Sequence, residues 1–142
     1  MIVLDANILI YAVNADAALH SRARAWLEGR LSGTETIGIP WVVLLAFIRL
    51  TTRAGLFRNP LPIQVCFDLI DSWLDQPGVI VVEPGPRHWT ILKELLSDFG
   101  TASNLTSDAH LAALSLEHHA ELYSFDQDFS RFRGLKWRNP LG

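Results

Sequence analysis

Short β-branched runs alternate with longer segments of helical spacing along the whole 142-residue chain, and that alternation leaves few architectures open. Ile2-Val3-Leu4, Ile37-Gly38-Ile39, Val79-Ile80-Val81-Val82 and Leu122-Tyr123-Ser124-Phe125 predict strands. The spacing between them predicts helices at about 17–31, 41–53, 62–75, 86–98 and 106–119. This order implies an α/β sandwich with a mainly parallel central sheet. Gly33, Pro40, Asn59-Pro60, Pro77-Gly78, Pro84-Gly85-Pro86 and Gly100 all fall between elements, as chain punctuation should. No linker, repeat or low-complexity tract divides the chain, so residues 1–142 are expected to form a single domain.

With 49% hydrophobic and 19% charged residues, disorder is excluded as the main state. A chain of this size can bury roughly 68–70% of its unfolded surface without disulfides or metal staples. The lone Cys66, within Val65-Cys66-Phe67, reads as a buried small hydrophobe in a reducing, cytoplasmic compartment. No basic leader precedes Asp5, the apolar stretch Ile8 to Val13 is too short for a signal core, and no stretch approaches a membrane span. A net charge of −3 makes general electrostatic attraction to nucleic acid or lipid unfavourable, so any nucleic-acid site must be local.

The segment Trp41 to Arg53 is apolar on nearly every side and is expected to be a central buried helix. Val42, Ala46, Arg49 and Arg53 share one stripe of it, which leaves two arginines needing either solvent at the helix end or an acidic cleft. In open α/β sheets, ligands bind beyond the carboxyl ends of the strands. Asp5 ends the first strand, Asp126 follows the strand that starts at Leu122, and Asp128 comes two residues later. Asp108 falls in the first turn of a helix that Thr106 would N-cap, where dipole complementarity alone accounts for an acid. No such account covers Asp5.

Carboxylates gathered in one cleft repel each other unless a cation neutralises them, and all-oxygen ligation points to Mg2+ or Mn2+. Zinc is disfavoured, because the histidines lack ligand spacing: His118-His119 are neighbours on different faces, His20 and His88 stand alone, and His110 projects away from Asp108. A hard cation among carboxylates, with arginines near and no serine or cysteine nucleophile, suggests metal-assisted phosphodiester hydrolysis.

At these residues the sequence resembles the PIN-domain ribonucleases, specifically the VapC-type toxins of bacterial toxin–antitoxin pairs. The matching stretches are Leu4-Asp5-Ala6-Asn7, the Pro40-to-Arg53 helix, Thr106-Ser107-Asp108-Ala109-His110-Leu111-Ala112-Ala113, Ser124-Phe125-Asp126-Gln127-Asp128-Phe129 and Phe132 to Leu141. The resemblance implies a PIN-like α/β/α sandwich and a Mg2+- or Mn2+-dependent endoribonuclease. It matches Asp5, Asp108 and Asp126 to the catalytic, metal-binding acids, with Asp128 as a further ligand. Asn7 and Ser124 match polar positions beside those acids. Arg49, Arg53, Arg131 and Arg133 would meet RNA phosphate, although the basic tail also reads as a solvated edge strand with its aromatics packed inward. A VapB-type antitoxin and a homodimer partner are implied too, and the aromatics Trp26, Trp73 and Trp89 offer apolar surface for such contacts or for the core.

The family's second acid, a glutamate on the central helix, is absent: Ala46 stands there. Alanine cannot bind metal, and Arg49 loses its expected neighbour three residues back. Three explanations compete: an engineered inactivation, a natural loss of function, or a site in which Asp128 and the other acids still hold one metal. The alternative function is a non-catalytic PIN-fold protein that binds RNA or antitoxin.

Overall fold

The computed structural model describes all residues, Met1–Gly142. Strands β1 (Ile2–Leu4), β2 (Ile37–Gly38), β3 (Val79–Ile80), β4 (Glu121–Tyr123) and β5 (Trp137–Arg138) form one sheet in the order β3-β2-β1-β4-β5. Every pairing is parallel. Parallel strands covered on both faces need continuous apolar runs. In β1, Ile2, Val3 and Leu4 are at most 1% exposed, each contributing about 1.5–3 kcal/mol through burial. That burial pins β1 at the centre and fixes where Asp5 emerges. A Cβ at Gly38 would collide with the Val82 side chain, so β2 can approach the chain beyond β3 only with glycine at that point.

Six helices cover the sheet: α1 (Ala6–Val13), α2 (His20–Leu31), α3 (Trp41–Thr52), α4 (Ile63–Leu74), α5 (His88–Ser97) and α6 (Thr106–Glu117). They fall into two packed groups, α1 with α2 and α3 followed by α4 against α3, and α5 against α6. The result is the expected α/β/α sandwich, built around a single core cluster of 30 buried residues. Cys66 lies in that core, fully buried against Thr51.

Five helices fall within a few residues of their expected ranges, and α1 is an addition. Its Ile8-Leu9-Ile10 run carries no polar residue to display helical spacing, because Ile8, Leu9 and Ile10 are all buried. The central-helix expectation needs correction: α3 buries Val43, Leu44, Phe47 and Thr51, but Trp41 and Leu45 are more than half exposed. Its outer face is therefore apolar and open. Trp73 is buried, edge-on to Phe47 at 5.0 Å, whereas Trp89 is 64% exposed. Strand β3 is shorter than the apolar run predicted, and β4 ends one residue before Ser124. The tail forms edge strand β5 beside β4, with Phe132 buried.

Candidate metal centre at the sheet switch point

The chain runs outward from β1 through β2 to β3 on one side and through β4 to β5 on the other, so the topological switch point lies between β1 and β4. Leu4 pairs with Tyr123, which sets Asp5 beside Ser124 at the carboxyl ends of the two strands. Asp5 is the N-cap of α1 and its Oδ1 accepts from the Ala6 N–H at 2.7 Å. Its Oδ2 accepts from the Ser124 hydroxyl at 2.7 Å. The same hydroxyl oxygen accepts from Asn7 Nδ2 and from the Asp126 N–H, both at 3.0 Å. Asn7 Oδ1 in turn accepts from the Phe125 N–H at 3.2 Å. Ser124 is fully buried, so this lattice is rigid and ties the loop after β4 to the start of α1.

Asp126 caps a short 3-10 turn at Gln127–Arg131, accepting from the Asp128 N–H at 2.9 Å. Asp108 lies in the first turn of α6. Thr106 is not its cap: it is already helical, and its hydroxyl donates to the Ser103 carbonyl, because a 3-10 turn at Ser103–Leu105 leads directly into the helix. Asp108 is pushed up to about 6, first by burial, then by the charges of Asp5 and Asp126, with Arg131 opposing. Burial also raises Asp5, against the Ser124 and Ala6 hydrogen bonds, and Asp126 adds to the rise. These carboxylates are thus near neighbours short of positive charge.

Asp5, Asn7, Ala46 and Asp108 line a cavity of about 240 Å3. Val42, Ala46 and Leu50 supply its α3 wall, so position 46 faces the acids and a longer side chain there would enter the space between them. Arg49 does not line it and is exposed on the outer face of α3. Arg53 lines a neighbouring cavity instead. Asp128 is exposed and its carboxylate lies 3.8 Å from Arg131. Arg133 is highly exposed, 3.7 Å from Asp98.

No three acidic, histidine or cysteine side chains stand close enough to ligate one ion together. The all-oxygen donors fit a hard, hydrated divalent ion, which one or two of these carboxylates would hold and the others would reach through water. It does not fit zinc. His88 does not stand alone: its Nε2 lies 3.0 Å from His110 Nδ1, which ties α5 to α6. Burial lowers both imidazoles. His118 contacts the Glu83 carbonyl through Nε2 at 2.8 Å. Tyr11 and Asn14, which border the cleft, escaped the sequence because α1 did. With Asp5 as N-cap, Asn7, Tyr11 and Asn14 share one face at i, i+4 and i+7, and that spacing was the available signal.

Residues 2–135 match the family described as PIN domain. Ribonuclease VapC37 of Mycobacterium tuberculosis is 46% identical over 140 residues, 99% of this chain and 97% of the relative. Ribonuclease VapC33 of the same species is 43% identical over 141 residues, 99% of both chains. Among solved structures, VapBC2 from Rickettsia felis, bound to a DNA fragment from its promoter, superposes with a TM-score of 0.71 at 21% identity, covering 98% of each chain. Mycobacterium tuberculosis VapC20, described as a Sarcin-Ricin loop cleaving toxin, gives 0.65 at 20% identity over 96% of this chain and 99% of that one, a likeness of fold. Full-length matches at these identities, over a sheet whose switch point gathers the acids, have one reading: the chain belongs to the PIN domain family, among its VapC ribonucleases.

Proposed function

We propose that this protein is the toxin of a toxin–antitoxin pair, a Mg2+- or Mn2+-dependent endoribonuclease whose site is the cleft of Asp5, Asp108 and Asp126. The observation that carries the reading is the cavity at the switch point that Asp5, Asn7 and Asp108 line together, with Asp126 near enough for its charge to act on both acids. Acids placed together in this way gain from a cation. A bound divalent ion would supply charge for the scissile phosphate and make water acidic enough to attack it. One or two of Asp5, Asp108 and Asp126 would hold that ion directly and the remaining acid through water, with Asp128 beside Arg131 at the rim of the cleft. Ser124 and Asn7 position Asp5 by fixing one carboxylate oxygen and the loop behind it. Arg131, already within the field of Asp108, meets phosphate, with Arg49, Arg53 and Arg133 farther along the RNA path.

Ala46 removes one charge from this set, so the chain as it stands is an impaired nuclease. The cavity beside Ala46 supports this, since it leaves room between Asp5 and Asp108 for the missing side chain. Ala46 equally favours the second reading, a non-catalytic RNA- or antitoxin-binding protein. Calorimetry of Mn2+ binding to this chain and to Ala46→Glu, followed by exposure of both to a mixed RNA pool, separates the two. Restored binding and cleavage establish a disarmed nuclease; absence of both in Ala46→Glu sinks the nuclease reading.

The partner is a VapB-type antitoxin. An apolar groove of about 510 Å3 between α1, α2 and α4, walled by Val13, Leu27, Leu31, Val65 and Trp73, suits one face of an amphipathic helix. The exposed Trp41 and Leu45 on α3 suit a second copy of the chain. No helix is long and apolar enough to cross a membrane, and the buried free thiol of Cys66 fits a reducing cytoplasm.

A further inference from the structure

Beyond the acids, the cleft continues into a second cavity of about 360 Å3 that shares Asn7, Ile10 and Leu50 with the first and adds Tyr11, Asn14 and Arg53. Its position matters because it adjoins the cavity of Asp5 and Asp108, within reach of a nucleotide next to a phosphate seated there. Its polar groups are few and selectively used. Asn14 closes α1 and is 9% exposed as a residue. Asn14 Oδ1 accepts from the Asp16 N–H at 3.2 Å, which fixes the amide, while Nδ2 donates to nothing in the chain. Both its hydrogens are left for an outside acceptor. Arg53, at the end of α3, makes no ion pair or hydrogen bond and brings donors only. The hydroxyl of Tyr11 is also unengaged, and its ring is braced edge-on to Phe125 at 5.2 Å. Ile10 and Leu50 give the apolar walls that a flat ring requires.

We propose that this second cavity seats the nucleobase next to the scissile phosphate and selects bases that carry a carbonyl at C6 or C4, guanine or uracil, over those that carry an exocyclic amine there, adenine or cytosine. The inference rests on the RNA reading of the cleft and adds its base preference. An amide with two free hydrogens on the cavity wall bonds a carbonyl oxygen, but faces donor against donor when an exocyclic amine takes that place. Arginine adds the same bias, since its fork matches acceptor pairs such as the O6 and N7 atoms of guanine. The selectivity therefore follows from donors that the fold has left without acceptors.

The test uses fluorescent homopentamers with 2′-O-methyl riboses, which present the same base in every register and whose integrity is checked on a gel after each titration, because attack by water does not need the 2′-hydroxyl. Uridine is compared with cytidine, and inosine with adenosine, by anisotropy in Mg2+ buffer. This chain should bind the uridine and inosine pentamers about tenfold more tightly than their cytidine and adenosine counterparts. Asn14→Asp keeps the shape and the Oδ1 acceptor but removes the donors, and should bring both ratios close to one. Its added charge weakens all four pentamers alike, so the ratio is the readout. Arg53→Met, at an exposed position, should lower the same ratios and serves if Asn14→Asp does not fold. Binding without base preference, or ratios that survive both substitutions, overturns the inference while leaving RNA binding intact. Failure of every pentamer to bind any of the proteins removes the RNA reading, and the inference with it.

Discussion

Helix α6 carries a carboxylate near each end, and the two live in opposite circumstances. Asp108, in the first turn, is pushed up to about 6 by burial and by the charges of Asp5 and Asp126. Glu117, in the last turn, is held below its ordinary value: burial works against its charge, but the N–H groups of Gly85 and Arg87 more than compensate. Those bonds are short, 2.7 Å from the Gly85 N–H to Oε1 and 2.9 Å from the Arg87 N–H to Oε2. They satisfy donors where the chain enters α5, whose start has no side-chain cap of its own. Glu117 is thus a charge whose partners are all in the chain. Asp108 is a charge whose neighbours are mostly acids. The contrast separates a structural carboxylate from a site better than burial or position on the helix does, because only Asp108 gains from a partner brought from outside.

The largest effect expected of that difference is on RNA cleavage. In the Ala46→Glu protein, Asp108→Asn should reduce metal-dependent cleavage by about 100-fold or more, since even groups one step behind metal ligands typically cost about 10- to 100-fold. Glu117→Gln in the same background should leave the rate within about twofold, because its partners are backbone groups of the loop before α5. Equal losses in both variants would erase the distinction. Mn2+ affinity should also fall as pH drops through about 6, since protons and metal compete for Asp108. The Glu117→Gln protein should show the same pH dependence.

Much of this was legible in the sequence, for an identifiable reason. A parallel sheet buried on both faces requires runs such as Ile2-Val3-Leu4, and a polar residue ending such a run, as Asp5 does, has few places to go except the carboxyl edge. The helices on either side of Asp108 were readable from periodicity and punctuation. What escaped reading depends on tertiary pairing. The contact of His88 with His110 joins residues 22 apart in sequence, and the cradle of Glu117 joins it to Gly85 across 32. Helix α1 was hidden because both its inner side and its contacts with α2 and α3 are apolar, which blurs the helical period. Strand β5 was ambiguous for a related reason: its arginine is paired to Glu121 only once the edge of the sheet exists.

Stability should distinguish the same two residues by sign. Because the folded pKa of Asp108 lies above the unfolded value of about 3.9, its favourable contribution is complete below that value and lost as pH rises through about 6. The contribution of Glu117, whose folded pKa is lowered, is present above about 4.3 and lost as pH falls through its folded value. Asp108→Asn should therefore stabilise the protein at pH 7 by about 1 kcal/mol, a figure kept small because the side chain is partly solvated. Glu117→Gln should destabilise it by about 1 kcal/mol at the same pH. Urea unfolding at about pH 7 and about pH 4 reads both, and the two differences should shrink toward each other at the lower pH. Shifts in the same direction at pH 7 would mean that the two carboxylates are not opposites.

The smallest effect tests how Glu117 is held. A Cβ on Gly85 would stand 2.6 Å from Glu117 Oε2, the oxygen that accepts from the Arg87 N–H. Gly85→Ala should push that oxygen aside and leave a donor at the start of α5 poorly matched, at a cost of about 0.5–1 kcal/mol. In a Glu117→Ala background the obstruction is gone. There the same substitution should be neutral or stabilise slightly, because alanine restricts the unfolded chain more than glycine does. The sign change between backgrounds is the signal, and a double-mutant cycle isolates it from the separate costs of each substitution. An equal cost in both backgrounds would place the strain in the backbone of the Pro84-Gly85-Pro86 turn and not in the carboxylate. In that case Glu117 would keep both backbone donors, and the close approach of Gly85 to its Oε2 would carry no energetic weight in the difference between the two ends of α6.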